Sequence, residues 1–180
     1  MLDAGATLTV VEHDGTRVTY QEQGFTMTII ARWAELEPGT VIGRADHEMI
    51  VAAHQDVRTL VDQLAHPHSS EAHLIHQNRP ARPSPLLGDL MPDHKVVIAA
   101  WKGYGYMEYT DPTHWSQLVG EPASPEWHTT TSEHFGAGRG VLLDTLVEVV
   151  TEFLDTGQRP TIVTWRELDH HSVGSGRAAS

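Results

Sequence analysis

The 180-residue chain contains no cysteine. That excludes disulfide staples, thiolate metal sites and a cysteine nucleophile. Basic residues are also scarce: 12 Lys and Arg face 24 Asp and Glu, for a formal net charge of −12. Phosphate backbones repel such a surface, and no concentrated basic patch offsets it, so no nucleic-acid partner is expected. No apolar run reaches the roughly 20 residues a membrane-spanning helix needs. Residues 1–5 (MLDAG) lack the basic and apolar segments of a signal peptide. A cytoplasmic protein with no membrane partner is the expectation.

Catalytic signatures are missing as well. No G-x-S-x-G elbow occurs, and the Pro-Cys-x-x-Cys half of a zinc deaminase has no counterpart. Thirteen histidines invite a metal reading. His47-Glu48 begins like a zinc-protease helix, but the next histidine, His54, lies too far on for two ligands one turn apart. His66-x-His68 and His73-x-x-His76 flank a turn without a carboxylate pattern to complete a ligand set. The expectation is no metal, no cofactor and no enzyme activity. One rival survives: a small-ligand or anion-binding enzyme using the glycine-rich stretch from Gly136 to Gly140 ahead of a helix, with His128 or His134 nearby. Backbone amides at a helix N-terminus hold anions, although this stretch lacks a Walker lysine and the full dinucleotide fingerprint.

The apolar pattern is that of one folded domain over residues 1–168, with an atypical N-terminal hairpin region (1–45) and a flexible polar tail at 169–180. Alternating residues 7–13 and 16–21 flank Asp14-Gly15, a two-residue hairpin signal. Strands are expected at 25–33, 47–52 and 72–77. Between the last two, Val57, Leu60, Val61 and Leu64 recur at helical spacing, with Asp56 in the first turn. Residues 78–92 hold Pro80, Pro83, Pro85 and Pro92 and read as an irregular loop. Residues 95–101 (KVVIAAW) form a continuous apolar run, the mark of a buried central strand, and 103–109 its hairpin partner. Short strands are expected at 114–119, 126–131 and 161–165. A helix is expected at 141–155, with Leu142, Leu146, Val149, Val150 and Phe153 inward and Gly157 as its stop. Strands and helices do not alternate regularly, which favours an α+β fold: a mostly antiparallel sheet packed with two main helices.

Aromatics cluster between Trp101 and Trp127. Strand alternation puts Tyr104, Tyr106 and Glu108 on one face and Met107 and Tyr109 on the other. One face is core. The other is a candidate for aromatic anchors of the kind enriched at protein interfaces.

Three segments resemble the Imm-one family of bacterial immunity proteins from polymorphic toxin systems. They are residues 96–111 (VVIAAWKGYGYMEYTD), the lead into the long helix at 132–143, and the ending. The ending comprises VEVVTEFL (147–154), Thr156-Gly157-Gln158-Arg159-Pro160-Thr161, and Val163-x-Trp165. The helix at 55–65 with His66-Pro67 matches as well, so the likeness spans about residues 48–166. The resemblance implies a protein that binds and neutralises a cognate secreted toxin domain, in many members a nucleic-acid deaminase, by occluding its active site. Acidity suits that role, since a toxin that handles DNA or RNA needs a basic groove. The expected partner-binding residues are Glu108, Asp111, Trp115, Glu121, Glu126, Trp127 and Glu133. Gly157, Arg159, Pro160 and Trp165 are expected to be scaffold.

Overall fold

The computed structural model describes residues 7–11, 17–21, 27–36, 44–84, 88–128 and 134–168. In chain order the elements are β1 (Thr7–Val11), β2 (Arg17–Gln21), β3 (Ile29–Leu36), β4 (Arg44–Val51), α1 (His54–Leu64) and β5 (Ala72–His76). Next come β6 (Ala81–Pro83), β7 (Leu90–Pro92), β8 (Lys95–Trp101), β9 (Tyr104–Thr110) and β10 (Trp115–Leu118). The chain continues through β11 (Trp127–His128), β12 (His134–Phe135), β13 (Val141–Leu142), α2 (Leu143–Thr156) and β14 (Trp165–Glu167). The main sheet runs β14-β10-β9-β8-β5-β3-β4, with β13 also paired to β9. Every pairing is antiparallel. The α+β expectation therefore holds.

The sheet is built around KVVIAAW. Residues 96–100 are buried on both faces. Lys102 and Gly103 link β8 to β9 with φ of 50° and 82°. Left-handed values at both central residues are what a two-residue primed turn needs to match strand twist. Val96, Ile98, Met107 and Tyr109 face the two helices, where Leu60, Leu64, Val149, Val150 and Phe153 pack on them. α1 buries Val57, Leu60, Val61 and Leu64, the four positions its spacing specifies. Asp56 accepts the amides of Ala52 and Ala53, each at 3.0 Å, and so satisfies donors at the helix start. Truncating a buried leucine such as Leu60 to alanine costs about 2–5 kcal/mol.

Several expected elements shift. Strand β3 starts four residues later than expected, and β4 three residues earlier. The proline-rich stretch is not wholly irregular, because β6 pairs β7 through Ala81↔Pro92, Arg82↔Met91 and Pro83↔Leu90. A two-stranded ribbon has free outer edges, where a proline without N–H interrupts no ladder. Leu142 is not on the helical core face. It lies in β13 and is 55% exposed, while Leu154 joins the buried set. The last strand is Trp165–Glu167 rather than 161–165. Residues 161–163 turn instead, since Glu152 accepts the amides of Thr161 and Ile162 and pulls them off the sheet. β1 and β2 pair as Thr7↔Gln21 through Val11↔Arg17. The Asp14-Gly15 turn lies outside the described residues. So does the tail from residue 169.

Candidate functional site

The second sheet face carries Val97, Ala99, Trp101, Tyr104, Tyr106 and Glu108. The short β11–β12 hairpin covers it. Trp127 of β11 stacks on Phe135 of β12 with centroids 6.0 Å apart and on Trp101 at 6.5 Å. Tyr106 closes the cluster against Phe135 at 5.4 Å and donates its hydroxyl to the Pro125 carbonyl at 2.7 Å. Burial pushes the Tyr106 phenol up to about 12. The aromatic face is thus mostly a second small core, with Trp127 half-buried at its rim.

A polar chain pins the hairpin from the sheet side. Gln117 donates to Glu108 at 2.9 Å and to the His134 carbonyl at 2.8 Å, and the Trp115 indole donates to Glu108 at 3.2 Å. Glu108 is 5% exposed. Its charge is spent inside the protein, holding Trp115 and Gln117. Asp111 is inward too, its side chain 8% exposed. It accepts from the Tyr109 hydroxyl, from the Thr113 and His114 amides and from the Thr113 hydroxyl. Burial opposes ionisation there, but those donors outweigh it and hold the carboxyl well below the ordinary range. Glu121 and Glu126 are exposed, and Trp115 and Trp127 are half-buried. Glu133 lies outside the described residues.

At the hairpin's outer face Glu126 meets two histidines that spacing alone did not bring together. His128 and His134 are register partners in β11–β12. Their rings stack at 4.4 Å with 7° between planes, and both Nε2 atoms approach Glu126 Oε1, at 2.9 and 2.7 Å. The hydrogen bond from His134 is the chief cause holding the Glu126 carboxyl below its ordinary value. The legible signal was Glu-x-His, which alternation places on one strand face, but the cross-strand partner depends on register. His73 and His76 do not converge, because they sit three apart on β5 and so face opposite sides of the sheet.

The glycine-rich stretch is not an anion cradle. The Gly138 amide donates to the Ser124 carbonyl at 3.0 Å, and the Gly140 amide to the Ser124 hydroxyl at 2.9 Å. β13 separates the stretch from α2. Glycine is required at 140 and 120 by contact: a Cβ on Gly120 would sit 2.0 Å from the Gly140 carbonyl oxygen. A cavity of about 440 Å³ opens beside β3 and β4. Its arginines are already engaged, Arg32 with Glu48 and Arg44 with Asp46, each at 2.7 Å.

The family signature is structural. Gly157, at φ 65°, caps α2 by donating its amide to Phe153, and its carbonyl accepts from Arg79 at 2.8 Å. Arg159 bonds Ser116, pairs with Glu167 and lies over the Trp165 ring. The Trp165 indole donates to the Pro160 carbonyl at 2.7 Å. These bonds fix the turn between α2 and β14. A family model described as immunity protein Imm1 matches residues 45–167. The chain belongs to the Imm1 family of immunity proteins. Residues 45–167 take in the main sheet from β4 onward, both helices and the aromatic hairpin. Among curated proteins none matches the chain. No helix of the described residues is long and apolar enough to cross a membrane.

Proposed function

We propose that this Imm1 protein binds a cognate secreted toxin domain, a nucleic-acid deaminase, in the cytoplasm of the producing cell and occludes its active site. Membership of an immunity family carries the reading. The geometry supports it with a rigid acidic rim. Glu121 and Glu126 stand exposed on loops clamped to the sheet by Gln117, Ser124 and the aromatic cluster. A rim of that sign steers toward the basic groove of an enzyme that handles DNA or RNA, and exclusion of substrate then inhibits without a reaction. Trp127 and Trp115, both half-buried, are the aromatic anchors, and Glu133 is a further acidic contact residue. Glu108 and Asp111 act from behind, by holding Trp115, Gln117 and the 111–114 turn in place. Residues 1–168 act as one immunity domain.

Co-expression with a candidate cognate toxin domain tests the reading. Cells survive, and the two purified domains form a complex that abolishes deamination. Continued killing beside soluble protein overturns neutralisation. Neutralisation of a toxin with another activity overturns only the deaminase assignment.

A further inference from the structure

Three side chains on the outer face of the β11–β12 hairpin offer nitrogen, nitrogen and oxygen to one point. Glu126 immediately precedes β11, two residues before His128, and His134 lies directly opposite His128. Their ligand atoms all fall within 4.8 Å of one another. Bonds of about 2.0–2.2 Å to a tetrahedral ion set ligand atoms roughly 3.3–3.5 Å apart. The observed separations of 2.7 and 2.9 Å from Glu126 Oε1 to the two Nε2 atoms reach that spacing with a small outward swing of an exposed carboxylate, and a tilt of the two exposed, stacked rings turns their in-plane lone pairs onto the ion. The backbone that carries the ligands is held. The His134 carbonyl is bonded to Gln117, and Trp127 and Phe135, each next to a histidine, are packed in the aromatic cluster. A preorganised backbone with ligands free to face solvent is what a metal site needs from its scaffold.

We propose that Glu126, His128 and His134 bind one divalent transition-metal ion of the zinc class. Two imidazoles and one carboxylate favour zinc, cobalt, nickel or copper over calcium and magnesium, which take all-oxygen sets. Three protein ligands leave a fourth position open to water or to a donor from another molecule. The ion bridges β11 to β12 and so clips together the hairpin that covers the second sheet face. The site stands apart from the choice of toxin, and its test needs no partner.

The test uses the full chain, untagged and freed of metal by chelation. Calorimetric titration with zinc chloride is expected to show one ion per chain at micromolar concentration. Cobalt(II) is expected to give the intense visible bands of four-coordination. H128N and H134N each weaken binding by more than the roughly 10–100-fold typical of losing an outer-shell partner. Both side chains are exposed, so both variants keep the metal-free melting temperature. An H66N/H68N control binds as the parent does. Absence of saturable one-to-one binding overturns the proposal. So does binding that survives unchanged in both H128N and H134N.

Discussion

Arg79 grips Asp93 with two parallel hydrogen bonds, Nε to Oδ1 at 2.8 Å and Nη2 to Oδ2 at 2.7 Å, in a pocket where their side chains are only 8% and 14% exposed. The same guanidinium donates from Nη1 to the Tyr109 hydroxyl and to the Gly157 carbonyl. One side chain therefore ties the segment after β5 to the start of β8, to β9 and to the cap of α2. The hydrogen bond to Asp93 raises the guanidinium pKa further and lowers that of the carboxyl.

Removing Arg79 leaves two inward carboxylates, Asp93 and Asp111, without their cation. Breaking one side of a buried pair costs about 3–5 kcal/mol. R79A is expected to lose that much in urea denaturation. R79K recovers only part of it, because an ammonium cannot reproduce the parallel pair of bonds.

The same cluster makes stability fall in acid in two stages. His94 accepts the His76 amide on Nε2 at 3.0 Å, with Nδ1 3.0 Å from Asp93, so the neutral ring is the form the fold holds. Burial is the chief cause lowering its pKa below the ordinary 6.5. A group whose folded pKa is depressed contributes stability above its unfolded pKa and loses it as pH falls toward the folded one. The first loss thus begins below pH 6.5. Asp93 and Asp111 are depressed below 3.8 and contribute a second loss under that pH. Urea midpoints measured across pH are expected to be level above about pH 7 and to decline below it. H94F removes the first decline and keeps the second.

Trp127 holds the β11–β12 hairpin to the sheet by stacking on Trp101 and Phe135. F135A, at a fully buried ring, is expected to cost about 3–5 kcal/mol, and W127A, at a half-buried one, less. The cost of W127A falls first on the hairpin. Amide exchange is expected to speed up around residues 126–135 while α1 and β8 stay protected.

How much of this was legible depended on whether the signal was local. Val57, Leu60, Val61 and Leu64 announce α1, because helix periodicity lies within one turn or two of sequence. KVVIAAW and the segment 103–109 announce the β8–β9 hairpin for the same reason, whereas its two-residue Lys102-Gly103 turn shows only in the backbone. Glu108 and Asp111 read as surface acids, since nothing near them in sequence reveals Arg79, or shows that Gln117 and Trp115 turn inward to bond Glu108. The Glu126–His128–His134 cluster was hidden because it needs the register of two strands of two residues each, too short for any periodic pattern. The glycines from 136 to 140 suggested a ligand loop, and the structure spends the amides of Gly138 and Gly140 on Ser124.

The charge of the rim sets how fast a partner is met more than how long it stays. Glu121 and Glu126 are exposed, and charges that remain solvated act mainly through long-range attraction, screened over about 8 Å at physiological salt. E126K with E133K is expected to slow association with the toxin domain by about tenfold or more at low salt. The difference shrinks as salt is added, and dissociation changes little. Surface plasmon resonance in chelator-containing buffer separates this effect from metal occupancy, because Glu126 is also a proposed ligand. An association rate unchanged at low salt removes these two residues from the steering surface. A faster dissociation with an unchanged association rate would instead make them buried contacts.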